Sequence, residues 1–174
     1  MRKLIIIPFL LLIFVACKKE SVQTYFIENQ QKKEFVSVDI SSSILKLSEV
    51  LASEKDKKAY QSIQNINVLA LPIQRAKEGQ YEQEKDRFKQ ILKGSSYKKL
   101  MNFNKDGNAV TLYYIGEVDA IDEIIAYGYS DEQGMGIARI LGNKMNPNDI
   151  MEMVQNTKLD LKDFDFGQLN NLFK

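Results

Sequence analysis

Residues 97–115, YKKLMNFNKDGNAVTLYYI, set an Asp106-Gly107 pair between two runs of apolar residues. A tight hairpin turn whose twist matches that of paired strands needs positive φ at its centre, and Asp-Gly reaches that conformation at little cost. The segment therefore predicts a hairpin. Tyr97, Leu100, Met101 and Phe103 lead in, Val110, Leu112 and Tyr114 return, and Tyr113 and Ile115 fall on the alternate face. Beyond it, Gly116 to Asp119 reads as a turn, Ile121 to Tyr129 as a third strand, Ser130 to Gly134 as another turn and Met135 to Leu141 as a fourth strand. Short turns join antiparallel neighbours, so residues 97–141 form a four-stranded meander.

Upstream, two further strands are expected at Phe35 to Ile40 and at Ile66 to Leu71, the second stopped by Pro72. The segments between them have helical spacing. Ser21 is a candidate cap for Val22, Tyr25 and Phe26, in a helix running towards Lys33, and Ser41 to Ser43 caps a helix bearing Ile44, Leu47 and Leu51. Ser53 followed by Asp56 resembles a capping box, so that helix breaks and restarts towards Ile63. Residues 80–93 put Tyr81, Phe88, Ile91 and Leu92 on one face and Glu82, Lys85, Asp86 and Lys89 on the other, with Gly94 placed to end the helix. The charged face reads as solvated and not as a binding site. Asn146-Pro147-Asn148-Asp149 supplies cap, first-turn proline and first-turn acid for a last helix with Ile150, Met151, Met153 and Val154 on its apolar face. The fold class that follows is α+β: one domain, residues 22–156, with a mainly antiparallel sheet and helices packed on one face.

The chain opens with Arg2 and Lys3 and an apolar run, Leu4 to Cys17, LIIIPFLLLIFVAC, ended by Lys18, Lys19 and Glu20. A spanning helix needs about 20 apolar residues, so the pattern is that of a cleaved signal peptide, residues 1–16. Phe14-Val15-Ala16-Cys17 resembles a bacterial lipobox, with Phe14 where Leu is usual. Cys17 is the single cysteine of the chain and is the expected lipidation site. An exported unpaired thiol is reactive in an oxidising compartment, and acylation removes that difficulty. One acyl chain binds a membrane only marginally, so a diacylglyceryl group with an amide-linked chain is the expected anchor. Residues 17–21 form a short tether, in which Lys18 and Lys19 are either solvated or set against anionic headgroups.

Removing 16 residues of 174 leaves 158, enough for one domain with a sizeable core. The leader carries two of the 24 basic residues, so the remainder, against 23 acidic ones, has a balance of −1 and no basic excess that would attract nucleic acid. Histidine is absent and the cysteine is committed. This excludes Ser-His-Asp and Cys-His nucleophiles and zinc or copper sites built on His and Cys. No metal or cofactor is expected.

Three constellations remain. Asp119, Asp122 and Glu123 form the best acidic cluster, yet neighbours in a strand point to opposite faces, so Asp122 and Glu123 pair only if a bulge reorients one. Asp160, Asp163 and Asp165 near Gly167 have part of a calcium-loop spacing without its twelfth-position acid. Tyr113, Tyr114, Tyr127 and Tyr129 would make either an aromatic ligand surface or half-buried sheet packing. Residues 157–174 carry seven large apolar side chains and either dock on the domain, the expectation here, or meet a partner.

Tyr97-Lys98-Lys99-Leu100-Met101, the hairpin after it, Ile121-Asp122-Glu123-Ile124, and Gly142-Asn143 four residues before the capped helix ending near Val154 resemble a family of small bacterial lipoproteins, domain of unknown function 4252, over residues 22–156. The resemblance implies an envelope lipoprotein of the Bacteroidetes type, with no established activity. The leading functional expectation is a non-catalytic binding module, lipid-anchored at the cell envelope and expected on the outer membrane. Its partner would be an envelope protein or polymer, met through the exposed sheet face or the C-terminal segment. An accessory or sensor in an envelope-stress, sigma-factor circuit is the second reading. A carboxylate-dependent hydrolase is the third, and it requires two acids about 5–9.5 Å apart in a cleft.

Overall fold

The computed structural model describes residues 20–42, 51, 53–105 and 108–156. Outside them lie the leader with Cys17, the helix expected around Ile44 and Leu47, the Asp106-Gly107 turn, the Asp160–Asp163–Asp165 group and the C-terminal segment 157–174. In chain order the elements are α1 (Val22–Asn29), β1 (Val36–Ser41), α2 (Glu54–Ser62), β2 (Ile63–Pro72), α3 (Gln80–Gly94), β3 (Lys98–Lys105), β4 (Asn108–Glu117), β5 (Ala120–Ser130), β6 (Gly134–Met145) and α4 (Pro147–Asn156).

Three of the four described helices start at side-chain caps. The Ser21 Oγ accepts from the Thr24 amide at 3.1 Å, the Ser53 Oγ from the Asp56 amide at 3.0 Å, and the Asn146 Oδ1 from the Asn148 amide at 2.9 Å. Each satisfies a donor that the first helical turn leaves unpaired. α1 stops at Asn29, short of Lys33; the Asn29 side chain turns back on the helix, its Nδ2 donating to the Tyr25 carbonyl at 2.8 Å.

All six strands join one antiparallel sheet in the order β1-β2-β6-β5-β4-β3. β3 to β6 are the expected meander, and β6 then pairs with β2, which carries β1 at its outer side. The link from β2 to β3 must travel from one half of the sheet to the opposite edge, and α3 makes that crossing. Beneath it lies the main core. The Phe88 ring, fully buried, has its centroid 5.0 Å from those of Tyr25 on α1 and Tyr127 on β5. Leu69, Leu71, Ile125, Met135 and Ile137 complete the floor.

Helices were expected on one face of the sheet. That describes α1 and α3, but α2 and α4 pack on the opposite face. The reason is local: where β5 pairs with β4 it carries one extra residue, Asp122, between Ile121 and Glu123, which turns Ile121 to the side away from Ile125. Ile121 and Met145 are fully buried there with Ile124, Tyr114 and Ile63, under Tyr60 of α2 and Met153 of α4.

α1 packs beside α3 over the main core. Its Gln23 accepts from Arg139, midway along β6, and the chain then runs to Phe35 and into Val36, which lies level with Ala70 and Gly136 at the far end of the sheet. Glu20, just before the Ser21 cap, is held by Arg87 of α3. The N-terminal entry thus lies on the same side of the sheet as α3.

Two glycines of β6 make opposite predictions. Gly134 has φ 105°, and an added Cβ would collide with the Leu71 carbonyl oxygen and the Ile73 amide. Around Gly136 an added Cβ meets nothing within 4 Å. Gly134→Ala should destabilise by at least about 1–3 kcal/mol, the cost of a strained backbone position, whereas Gly136→Ala should stay within about 1 kcal/mol of the parent. Urea unfolding of the two variants checks the contrast.

Candidate docking surface

Along β5 and β6, large and small side chains alternate: Ile125, Ala126, Tyr127, Gly128, Tyr129 on one strand and Met135, Gly136, Ile137, Ala138, Arg139 on the other. Because alternate residues point to opposite faces, the large ones line the core under α1 and α3 and the small ones share the other face. The pairing register extends this into rows across all six strands. The first row reads Val36, Ala70, Gly136, Gly128, Val110, Phe103 and the second Val38, Val68, Ala138, Ala126, Leu112, Met101. The third, Ile40, Ile66, Ile140, Ile124, Tyr114, Lys98, runs under the α2/α4 end.

The cluster beneath α2 and α4 takes in residues of the third row and none of the other two. Of the twelve apolar residues in the first two rows, only Val36 and Ala70 are buried. Phe103 is 57% exposed and Met101 44%. The surface has a shape as well as a chemistry. Gly and Ala floor its middle, while Val36 and Val38 rise on one side and Leu112, Val110, Met101 and Phe103 on the other. Adjacent strands lie about 4.8 Å apart, so the walls on β1 and β4 are about 19 Å apart, wider than the 10–12 Å or so of a helix with its side chains. At the first row the trough deepens into an open groove of about 670 Å³ lined by Ala70, Gly136, Gly128 and Val110, beside the polar Gln74 and Asn108.

Of the acidic cluster, Asp119 and Asp122 are exposed, and Asp122 is the extra residue of a bulge against β4, the bulge anticipated as the one way of reorienting it. Glu123 is on the core face and is engaged: Arg139 Nε lies 2.6 Å from its Oε1, Arg139 Nη2 lies 3.3 Å from its Oε2, and the Tyr97 hydroxyl donates to Oε1 at 2.6 Å. Both charged side chains are about one-eighth exposed. Among the described residues no cluster of acids and cysteine has the arrangement of a metal site.

The four tyrosines divide between faces. Tyr113, Tyr127 and Tyr129 belong to the core under α3, where the Lys89 Nζ sits 4.3 Å from the Tyr129 ring centroid, and Tyr114 is buried below α2 and α4. They are packing. Residue types with hydrogen-bonding groups drew the sequence reading to these tyrosines and acids; it passed over Ala126, Gly128, Gly136 and Ala138, whose signal was the large-small alternation itself.

Burial raises several phenols. Tyr81 is pushed up to about 12 by loss of solvent, aided by the hydrogen bond to Asp131. Tyr25, Tyr97 and Tyr127 lie higher still, burial again leading, with the negative charges of Glu84 and Glu123 adding for Tyr25 and Tyr97. Unfolded phenols ionise near about 10, so the folded chain holds protons that the unfolded chain releases. Stability from these groups is complete below about pH 10 and declines as pH rises from there through about 12. Urea midpoints read from pH 8 to 12, with tyrosinate absorbance followed in parallel, should fall together with the rise in absorbance. Separately, Arg139→Met leaves the Glu123 carboxylate without its counter-charge and should cost about 3–5 kcal/mol. Adding Glu123→Gln, which keeps an acceptor for Tyr97, should recover most of that loss in the same assay.

Among comparisons with known proteins, a family model described as a domain of unknown function, DUF4252, matches residues 25–153. No curated protein and no solved structure matches.

Proposed function

Since the chain belongs to the DUF4252 family, whose function is unknown, we propose from its own residues that it is a non-catalytic interaction module of the cell envelope. A lipid on Cys17 anchors it to the outer membrane, and it recognises an apolar polypeptide segment of an envelope protein on the open sheet face. The observation that carries this reading is a pair of rows that no described element covers, twelve apolar positions, ten of them not buried, without one polar side chain. A carbohydrate polymer would ask for hydrogen-bonding groups, which the rows lack, so a protein segment fits better. The best-placed acid, Glu123, is occupied by Arg139 and Tyr97 and has no second acid beside it in this network, which favours recognition over carboxylate hydrolysis.

The position of the tether supports the same reading. Three residue spacings separate Cys17 from Glu20, a reach of about 10–11 Å. Glu20 is held by Arg87 of α3 on the packed side of the sheet, so the tether of an anchored domain leaves the face opposite the groove and keeps the groove open to partners.

Replacing Cys17 by Ala should abolish labelling with radioactive palmitate and leave the leader attached; labelling that survives the change removes the anchor. For the recognition step, a photoreactive amino acid at Phe103 should give a discrete adduct with one envelope protein in intact cells. Gly136→Leu, which fills the floor, should erase that adduct while circular dichroism remains unchanged. An adduct insensitive to Gly136→Leu, or none at all, would overturn the assignment of the face.

A further inference from the structure

We infer that the open rows have an occupant in the resting molecule: residues 157–174 of the same chain, laid across the Gly and Ala floor. This goes beyond the recognition reading, since a partner would then bind by exchange with a segment already in place.

The described chain ends on the open side of the sheet. α4 lies on the open side of the sheet, with Met153 buried against Ile121, Ile124 and Met145, and the Asn156 Nδ2 donates to Asp56 of α2 at 3.3 Å. The next 18 residues therefore start on the same face as the trough, beside the row that α2 and α4 already cover. From that third row to the first is four residues along a strand, about 13 Å. Eighteen residues reach about 27 Å even when helical. Distance is no obstacle.

Composition and shape then agree. The segment holds Leu159, Leu161, Phe164, Phe166, Leu169, Leu172 and Phe173, while three Lys and three Asp leave it without net charge. Large side chains need space, and the floor supplies it: Gly136 has nothing within 4 Å of a would-be Cβ, and Gly128, Ala126 and Ala138 add at most a methyl group each. An apolar strip with no side chain larger than a methyl on its central strands is a poor surface to leave in water and a good one for bulky groups. No charged or hydrogen-bonding side chain in the first two rows would be stranded by that cover.

The test places a photoreactive amino acid at Met101, on the wall of the trough, in the full chain in cells, and maps the products by protease digestion. The expected product runs as a monomer and joins the probe to a peptide from residues 157–174; the double change Phe164→Asp and Phe166→Asp should abolish it. Products joined only to a second copy, to another protein or to lipid overturn the inference, as does a probe that reacts with solvent alone. The two readings fail separately. An adduct formed only with another protein removes the intrachain cover and leaves recognition standing, whereas an intrachain product with no intermolecular adduct from Phe103 supports the cover and counts against recognition.

Discussion

The alternation of large and small side chains along β5 and β6 is the constraint on which the rest depends. These central strands place Ile125, Tyr127, Met135 and Ile137 on one face, enough volume to build a core with α1 and α3. On the opposite face the same strands present Ala126, Gly128, Gly136 and Ala138. A strand cannot shift register by one residue without exchanging the two sets. Filling one face with aromatic and branched groups therefore fixes the other as a shallow floor, and the sheet acquires a packed side and an open side from one repeating pattern.

The bulge at Asp122 sets the limit of that open side. By inserting one residue against β4 it brings Ile121 and Ile124 to the same face, and with Met145 they give α2 and α4 something to cover. Among the described residues the third row is thereby covered and the first two are not. Lys55 on α2, which pairs with Asp149 and Glu152 on α4, ties the two helices to each other at 3.3 and 2.6 Å. Both partners are well exposed, so this contributes little to stability; burial of Met153 and Tyr60 does more.

Local chemistry made much of this readable in advance. Asp106-Gly107, the Ser21, Ser53 and Asn146 caps, and the period-two runs after Tyr97 each report on neighbours a few residues away, so the meander and the helix starts follow from the sequence. What depends on distant partners did not. The pairing of β2 with β6 joins Ala70 to Gly136, and the covering of Ile124 depends on Met153; neither leaves a mark in either segment alone. Glu123 illustrates the same limit. As a member of an acidic cluster it invited a catalytic reading, yet its environment is set by Arg139, sixteen residues on, and Tyr97, twenty-six residues back. The docking rows required five strand registers at once, although the glycine and alanine alternation that produces them was present in two short segments.

The edges of the sheet direct association to this face. An edge strand offers unpaired backbone groups to any other strand, and charged side chains are the usual guard. β3 carries Lys98 and Lys99 at one end, both exposed, and β1 carries Asp39, exposed and bonded to Asn67 at 2.6 Å. A second chain adding to either edge would have to desolvate these groups. The two open rows ask for no such desolvation, since every side chain in them is apolar. A polypeptide approaching the sheet thus meets a cost at the edges and a gain on the floor, so occupancy of the face, by whichever segment, is favoured over extension of the sheet.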